Sequence, residues 1–166
     1  LAQAGVQKQD IRFRYQQSEK PFLEGNHLPY FSISHSGDYV MCAIASEEIG
    51  ADVEQCTDIH SGLAKSVMTS AEYAHYLNLH PNMQNQYFFT VWTCKESVVK
   101  CIGTGLQTPF PSIEIVTAEK KTQAVKDGKE IYHLWRIPLG GAYCSAVCMK
   151  HEKSVPKVIF VDTEQL

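Results

Sequence analysis

The hydrophobic period of this chain changes twice along its length, and that succession limits the fold more than any single residue does. FSISH (31–35) alternates apolar and polar residues, the two-residue period of a strand. Ser36-Gly37-Asp38 offers a turn, and YVMCAIA (39–45) is a continuous apolar run of strand length, so 31–45 reads as a hairpin. IGADVEQ (49–55) follows as a third antiparallel strand. Side chains two apart share a strand face, so Ile49, Ala51 and Val53 fall on one side and Gly50, Asp52 and Glu54 on the other.

The pattern then becomes helical. Thr69 with Glu72 three residues on forms a capping box for AEYAHYLN, and Pro81 closes that helix. A longer helix runs from about Gln86 to Ile102, with Phe88, Val91, Trp92, Val98, Val99 and Ile102 as its apolar surface and Gly103 as its stop. Strand signals then return. SIEIVT (112–117) pairs with EIYHLWRI (130–137), Asp127-Gly128 marks a turn, and Gly140-Gly141 leads a hairpin into AYCSAVCM. PKVIFVD (156–162) is a last strand candidate, and IRFRYQ (11–16) holds a short early one. Strands, helices, then strands again define an α+β fold of antiparallel sheets with packed helices.

A chain of 166 residues can bury one real core. Its formal net charge of −3 gives no electrostatic footprint for nucleic acid or an anionic membrane. No apolar run approaches a membrane span, and nothing resembles a cleavable leader, so the expected setting is the cytoplasm. Cys42, Cys94, Cys101, Cys144 and Cys148 lie inside apolar segments, the usual place for reduced, buried thiols. No CxxC pair suggests structural zinc.

Three short segments carry chemistry. Asp52 and Glu54 share a strand face; taken alone they read as the polar side of an edge strand, although neighbouring carboxylates also suit Mg²⁺. Glu96 and Lys100 are four apart on a helix, the spacing of an ordinary surface ion pair. Their setting in an otherwise apolar helix beside Lys95 also allows a gathered site. Ser34 and His35 end a strand at a tight turn, where backbone N–H groups and hydroxyls can grip a phosphate.

Together, KPFLEG (20–25), FSISHSG (31–37), IGADVE (49–54) and FFTVWTCKESVVKCIGTGL (88–106) resemble the Sfp-type 4′-phosphopantetheinyl transferases. That family's pattern is a G-x-D-x-E strand followed by a W-x-x-K-E-[AS]-x-x-K helix. Gly50–Glu54 and Trp92–Lys100 match both at every defining position. The resemblance covers roughly residues 20–110.

The resemblance implies transfer of the phosphopantetheine arm of coenzyme A to a serine of an apo acyl- or peptidyl-carrier protein, releasing 3′,5′-ADP. This is a holo-[acyl-carrier-protein] synthase-type activity. By position, Asp52, Glu54 and Glu96 would hold Mg²⁺ against the coenzyme A pyrophosphate. Glu96 would accept the serine proton, and Lys100 would steady the pyrophosphate and the leaving phosphate. Ser34 and His35 resemble residues that grip the 3′-phosphate, and Lys20 one that helps hold the phosphates.

The resemblance also implies a pseudo-twofold pair of halves whose N-terminal half is incomplete here. Residues 1–48 would be the remainder of that half and 49–166 the C-terminal half with the metal site. The chain opens at Leu1 rather than methionine and reads as starting partway through a longer protein. A monomer is expected, with the carrier protein and coenzyme A as partners. The competing reading is a non-catalytic relative that binds coenzyme A or a carrier protein.

Overall fold

A computed structural model describes residues 11–15, 20–25, 28–60, 62–118, 121–140, 142–151 and 155–162. Among these, nine strands and three α-helices alternate in blocks. First come β1 (Phe13–Tyr15), β2 (Pro21–Leu23), β3 (Tyr30–Ser36), β4 (Tyr39–Ala45) and β5 (Ile49–Gln55). Then follow α1 (Leu63–Val67), α2 (Ser70–Asn78) and α3 (Pro81–Ile102). The closing block is β6 (Ile113–Ala118), β7 (Lys121–Lys126), β8 (Glu130–Arg136) and β9 (Tyr143–Met149). All pairings are antiparallel: β1 with β2, β3 with β4, and a five-stranded sheet in the order β5-β9-β8-β7-β6. The α+β architecture expected from the alternating periods is the one observed.

Helix α3 crosses the five-stranded sheet and builds the main core. Its Cys94, Val98 and Val99 pack on Ile113, Ala124, Tyr132, Leu134, Ala146 and Cys148. Gly50 makes this crossing possible. A Cβ there would overlap the main-chain oxygen of Ser97 and the nitrogen of Cys101, so β5 and α3 meet backbone to backbone. On the other side of the sheet, Met41, Ala43 and Ala45 of β4 cover Ile49, Ala51, Val147 and Met149. A third cluster joins α1 to the first half of α3 through Ala64, Val67, Met68, Phe88, Phe89 and Val91.

Local signals emerge where the sequence put them. Thr69 caps α2 by accepting from the Glu72 N–H (3.2 Å), and the Glu72 carboxylate accepts from the Thr69 N–H (2.8 Å). Gly103 stops α3 in the left-handed region at φ 79°. Asp127 and Gly128 both have positive φ, and the Lys129 N–H donates to the Lys126 carbonyl, closing the β7–β8 turn.

Several expectations are corrected. Strand β5 is not the third strand of the 31–45 hairpin; it pairs with β9, Asp52 opposite Ala146. Both of its faces are buried, one under β4 and one under α3. The segment 112–117 does not pair with 130–137, because β7 lies between them. Helix α3 begins at Pro81, five residues earlier than expected, and Pro81 opens it rather than only ending its predecessor.

The apolar run of β4 is only half buried: Val40 is 73% exposed, and Cys42 faces solvent instead of lying in a core. Residues 156–162 form no strand, and Val158, Ile159, Phe160 and Val161 are exposed. The early strand is real but short.

Candidate active site

β3 and β5 belong to different sheets, yet they are tied together by three serines at two-residue spacing. The Ser32 hydroxyl accepts from the Ala51 N–H (3.0 Å), and Ser36 accepts from the Gln55 N–H (3.0 Å). Ser34 Oγ donates to Asp52 Oδ1 (2.8 Å), and Ser36 Oγ donates to Glu54 Oε2 (2.9 Å). Side-chain hydroxyls thus replace a backbone ladder and run along the edge carrying Asp52 and Glu54.

From the other side, α3 presents Trp92, Glu96 and Lys100 at four-residue spacing. These three are partly exposed, whereas Thr93, Cys94, Lys95, Ser97, Val98 and Val99 are buried. Lys100 Nζ donates to Asp52 Oδ1 (2.6 Å) and to Ser34 Oγ (3.0 Å). The Trp92 indole N–H donates to Glu54 Oε1 (3.3 Å). Glu96 and Lys100 line a groove of about 360 Å³ together with Lys20, Ser32, Ile33 and Gly103.

The electrostatics follow from burial. Asp52 is only 2% exposed, and burial pushes its carboxyl above the usual range, although the Lys100 ammonium pulls it back. Glu96 is raised first by burial and then by the negative charge of Asp52, with Glu54 adding to it. Asp52 and Glu96, each raised in part by a neighbouring carboxylate, favour a bound cation. Asp52 Oδ2 is buried with no hydrogen-bond partner, an unsatisfied hard oxygen.

Among the described residues no three acidic, histidine or cysteine side chains already converge as a ligand shell. The donor chemistry nevertheless fits a Mg²⁺-type ion, which takes one or two carboxylates and fills the rest of its shell with water and phosphate oxygens.

The sequence grouped Ser34 with His35, but the structure separates them. Ser34 faces Asp52, while His35 sits on the exposed side of β3 opposite Val40. Lys20 lines the groove, yet its ammonium already donates to Glu48 Oε2 (2.7 Å), the Ile49 carbonyl (3.3 Å) and the Cys101 carbonyl (3.3 Å). Lys95 stands outside the site altogether. It is fully buried and donates to Glu72 Oε2 (2.6 Å) and to the carbonyls of Val67 (2.9 Å) and Phe110 (3.1 Å).

Sequence reasoning missed Ser36 and the indole N–H of Trp92 as partners of Glu54. The S-x-S-x-S spacing of residues 32–36 was the available signal for Ser36.

The fold and site define a class: a small α+β protein in which a buried strand and a crossing helix gather carboxylates against one ammonium. Residues 48–148 match the model of the 4′-phosphopantetheinyl transferase superfamily, and the chain belongs to that superfamily. It is 31% identical to the 4′-phosphopantetheinyl transferase Sfp of Bacillus subtilis over 97% of this chain and 73% of that protein. Against ffp of B. subtilis the identity is 38% over 66% of this chain and 49% of the relative. Against gsp of Aneurinibacillus migulanus it is 33% over 75% and 52%. The chain therefore spans about half the length of the latter two.

A crystal structure of the Thermotoga maritima holo-[acyl-carrier-protein] synthase superposes with a TM-score of 0.52 at 18% identity. It covers 72% of this chain and 71% of that one, a likeness of fold. No helix among the described residues is long and apolar enough to cross a membrane.

Proposed function

We propose that this chain moves the 4′-phosphopantetheine arm of coenzyme A onto a serine hydroxyl of an apo acyl- or peptidyl-carrier protein. The observation that carries this reading is the buried, half-satisfied Asp52, flanked by Lys100 and electrostatically coupled to Glu96, in a member of this superfamily. In the reaction a bond forms between the serine oxygen and the phosphorus bearing pantetheine. The pyrophosphate P–O bond breaks, and 3′,5′-ADP departs.

Asp52, Glu54 and Glu96 are the residues that would hold Mg²⁺, which when bound neutralises charge on the pyrophosphate. Glu96 takes the serine proton, directly or through a water; its raised affinity for protons suits a base. Lys100 is close enough to Asp52 to share its charge, and it steadies the phosphate that leaves. Ser34 and, from the exposed side of β3, His35 would contact coenzyme A. Lys20 would do so by exchanging one of its present acceptors for a phosphate oxygen.

On this reading residues 49–166 carry the metal site and 1–48 belong to a preceding half. The chain acts as a monomer in the cytoplasm. The test is mass spectrometry of an apo-carrier protein incubated with the chain, Mg²⁺ and coenzyme A. A gain of one phosphopantetheine arm is expected. Binding of coenzyme A without any transfer would instead assign a non-catalytic binder and overturn the proposal.

A further inference from the structure

Glu54 differs from the other two carboxylates in how it is held. Both of its oxygens accept hydrogen bonds, and the two donors come from opposite walls of the site: Ser36 on β3 and Trp92 on α3. Asp52 is bonded through one oxygen only. Glu96 makes no protein hydrogen bond among the described residues, and it lines the groove.

The direction of the Ser36 bond is fixed by valence. Its hydroxyl has a single proton and already accepts from the Gln55 N–H, a group that can only donate. The proton is therefore directed at Glu54 Oε2. The Trp92 indole is likewise a donor only, and its ring is held by Phe88 (centroids 5.8 Å apart) and Phe110 (5.3 Å). The indole cannot turn into an acceptor, and the Ser36 hydroxyl is anchored by the bond it accepts from Gln55.

Ser36 also binds β3 to the end of β5, since the one hydroxyl links the Gln55 main chain to the Glu54 side chain. A hydroxyl used in this way costs little if its purpose is only to join strands. Joining strands requires only the bond from Gln55, as Ser32 does with Ala51. The second bond, to the carboxylate, is the additional feature.

We propose that Ser36 is a positioning residue: with Trp92 it fixes the orientation of the Glu54 carboxylate before any cation arrives. This rests on the reading of Asp52, Glu54 and Glu96 as the cation site. A ligand whose rotamer is already set loses less freedom on binding, and outer hydrogen bonds to metal ligands typically change affinity by about 10- to 100-fold. Ser36 would touch neither the carrier serine nor the coenzyme; its effect passes through Glu54.

The test uses the full chain with Mn²⁺ as the probe, in the presence of coenzyme A, and follows the free-ion electron paramagnetic resonance signal. Ser36→Ala should raise the Mn²⁺ Kd about tenfold while thermal unfolding shows a folded protein. Ser36→Thr, which keeps a hydroxyl, should recover most of that loss. Trp92→Phe, which keeps a ring but removes the N–H, should weaken Mn²⁺ binding in the same direction and tests the clamp from the other wall.

If wild type and Asp52→Ala bind Mn²⁺ equally, the cation-site reading itself fails. If wild type binds, Asp52→Ala does not, and both Ser36→Ala and Trp92→Phe match wild type, the positioning role is overturned and Ser36 is only a strand tie.

Discussion

Replacing Lys95 with alanine removes one half of an ion pair that is sealed from water. Lys95 is 0% and Glu72 5% exposed, and they meet at 2.6 Å. The ammonium is further satisfied by two carbonyls, while Glu72 also accepts from the Thr69 and Ile115 N–H groups. Removing the cation leaves a carboxylate in the interior, still hydrogen-bonded but without a counter-charge.

Breaking a buried pair from one side costs about 3–5 kcal/mol. For a domain of this size each kcal/mol lowers the melting temperature by about 2–4 °C, so a fall of roughly 10 °C is expected. Calorimetry or urea unfolding reads it directly.

The companion is Glu72→Met with Lys95→Met, which removes both charges and keeps apolar volume. That double variant should be less damaged than the sum of its single changes, with a coupling of about 2 kcal/mol or more. A Lys95→Ala protein within 1 kcal/mol of wild type would refute the claim that this motif lysine is structural.

Other consequences follow from the same geometry. Glu96→Ala should cut pantetheinylation by at least about two to three orders of magnitude in a carrier-modification assay, the usual share of a general base. Near-normal transfer by this variant would sink the role assigned to Glu96.

Asp52 and Glu96 hold protons above their ordinary values of 3.8 and 4.5, so in the metal-free protein the folded state binds more protons than the unfolded one. The stability these two groups contribute should therefore be fully present below those values and be lost as pH rises through the raised ones, a slope that shrinks in Glu96→Gln when melting temperature is followed against pH. Gly50→Ala should destabilise by about 3 kcal/mol or more, because the new methyl meets fixed main chain of α3; equal denaturant midpoints would contradict that packing. Thr69→Ala should cost about 1 kcal/mol through loss of the α2 cap, measured by the same unfolding curves.

Much of this protein was legible locally. The capping box at Thr69 and Glu72, the Gly103 stop and the Asp127-Gly128 turn depend on neighbours a few residues apart, and those bonds form much the same way in any fold. The order of Gly50–Glu54 and Trp92–Lys100 was likewise enough to point to the superfamily.

Tertiary structure decided the rest. A strand's alternation says which residues share a face but not which strand will pair with it, so β5 joining β9 and β7 entering between β6 and β8 were invisible. An apolar run does not reveal whether one side or both will be covered, hence the exposure of Val40 and Cys42. Lys95 and Lys100 are five residues apart on one helix and carry the same charge. One is sealed against Glu72 and the other reaches Asp52, because the helix turns them toward different neighbours. The sequence by itself determined most of the elements and the chemical groups available to the site. Only the fold determined which oxygen meets which donor, because hydrogen bonds are set by distances across chain segments that no local pattern encodes.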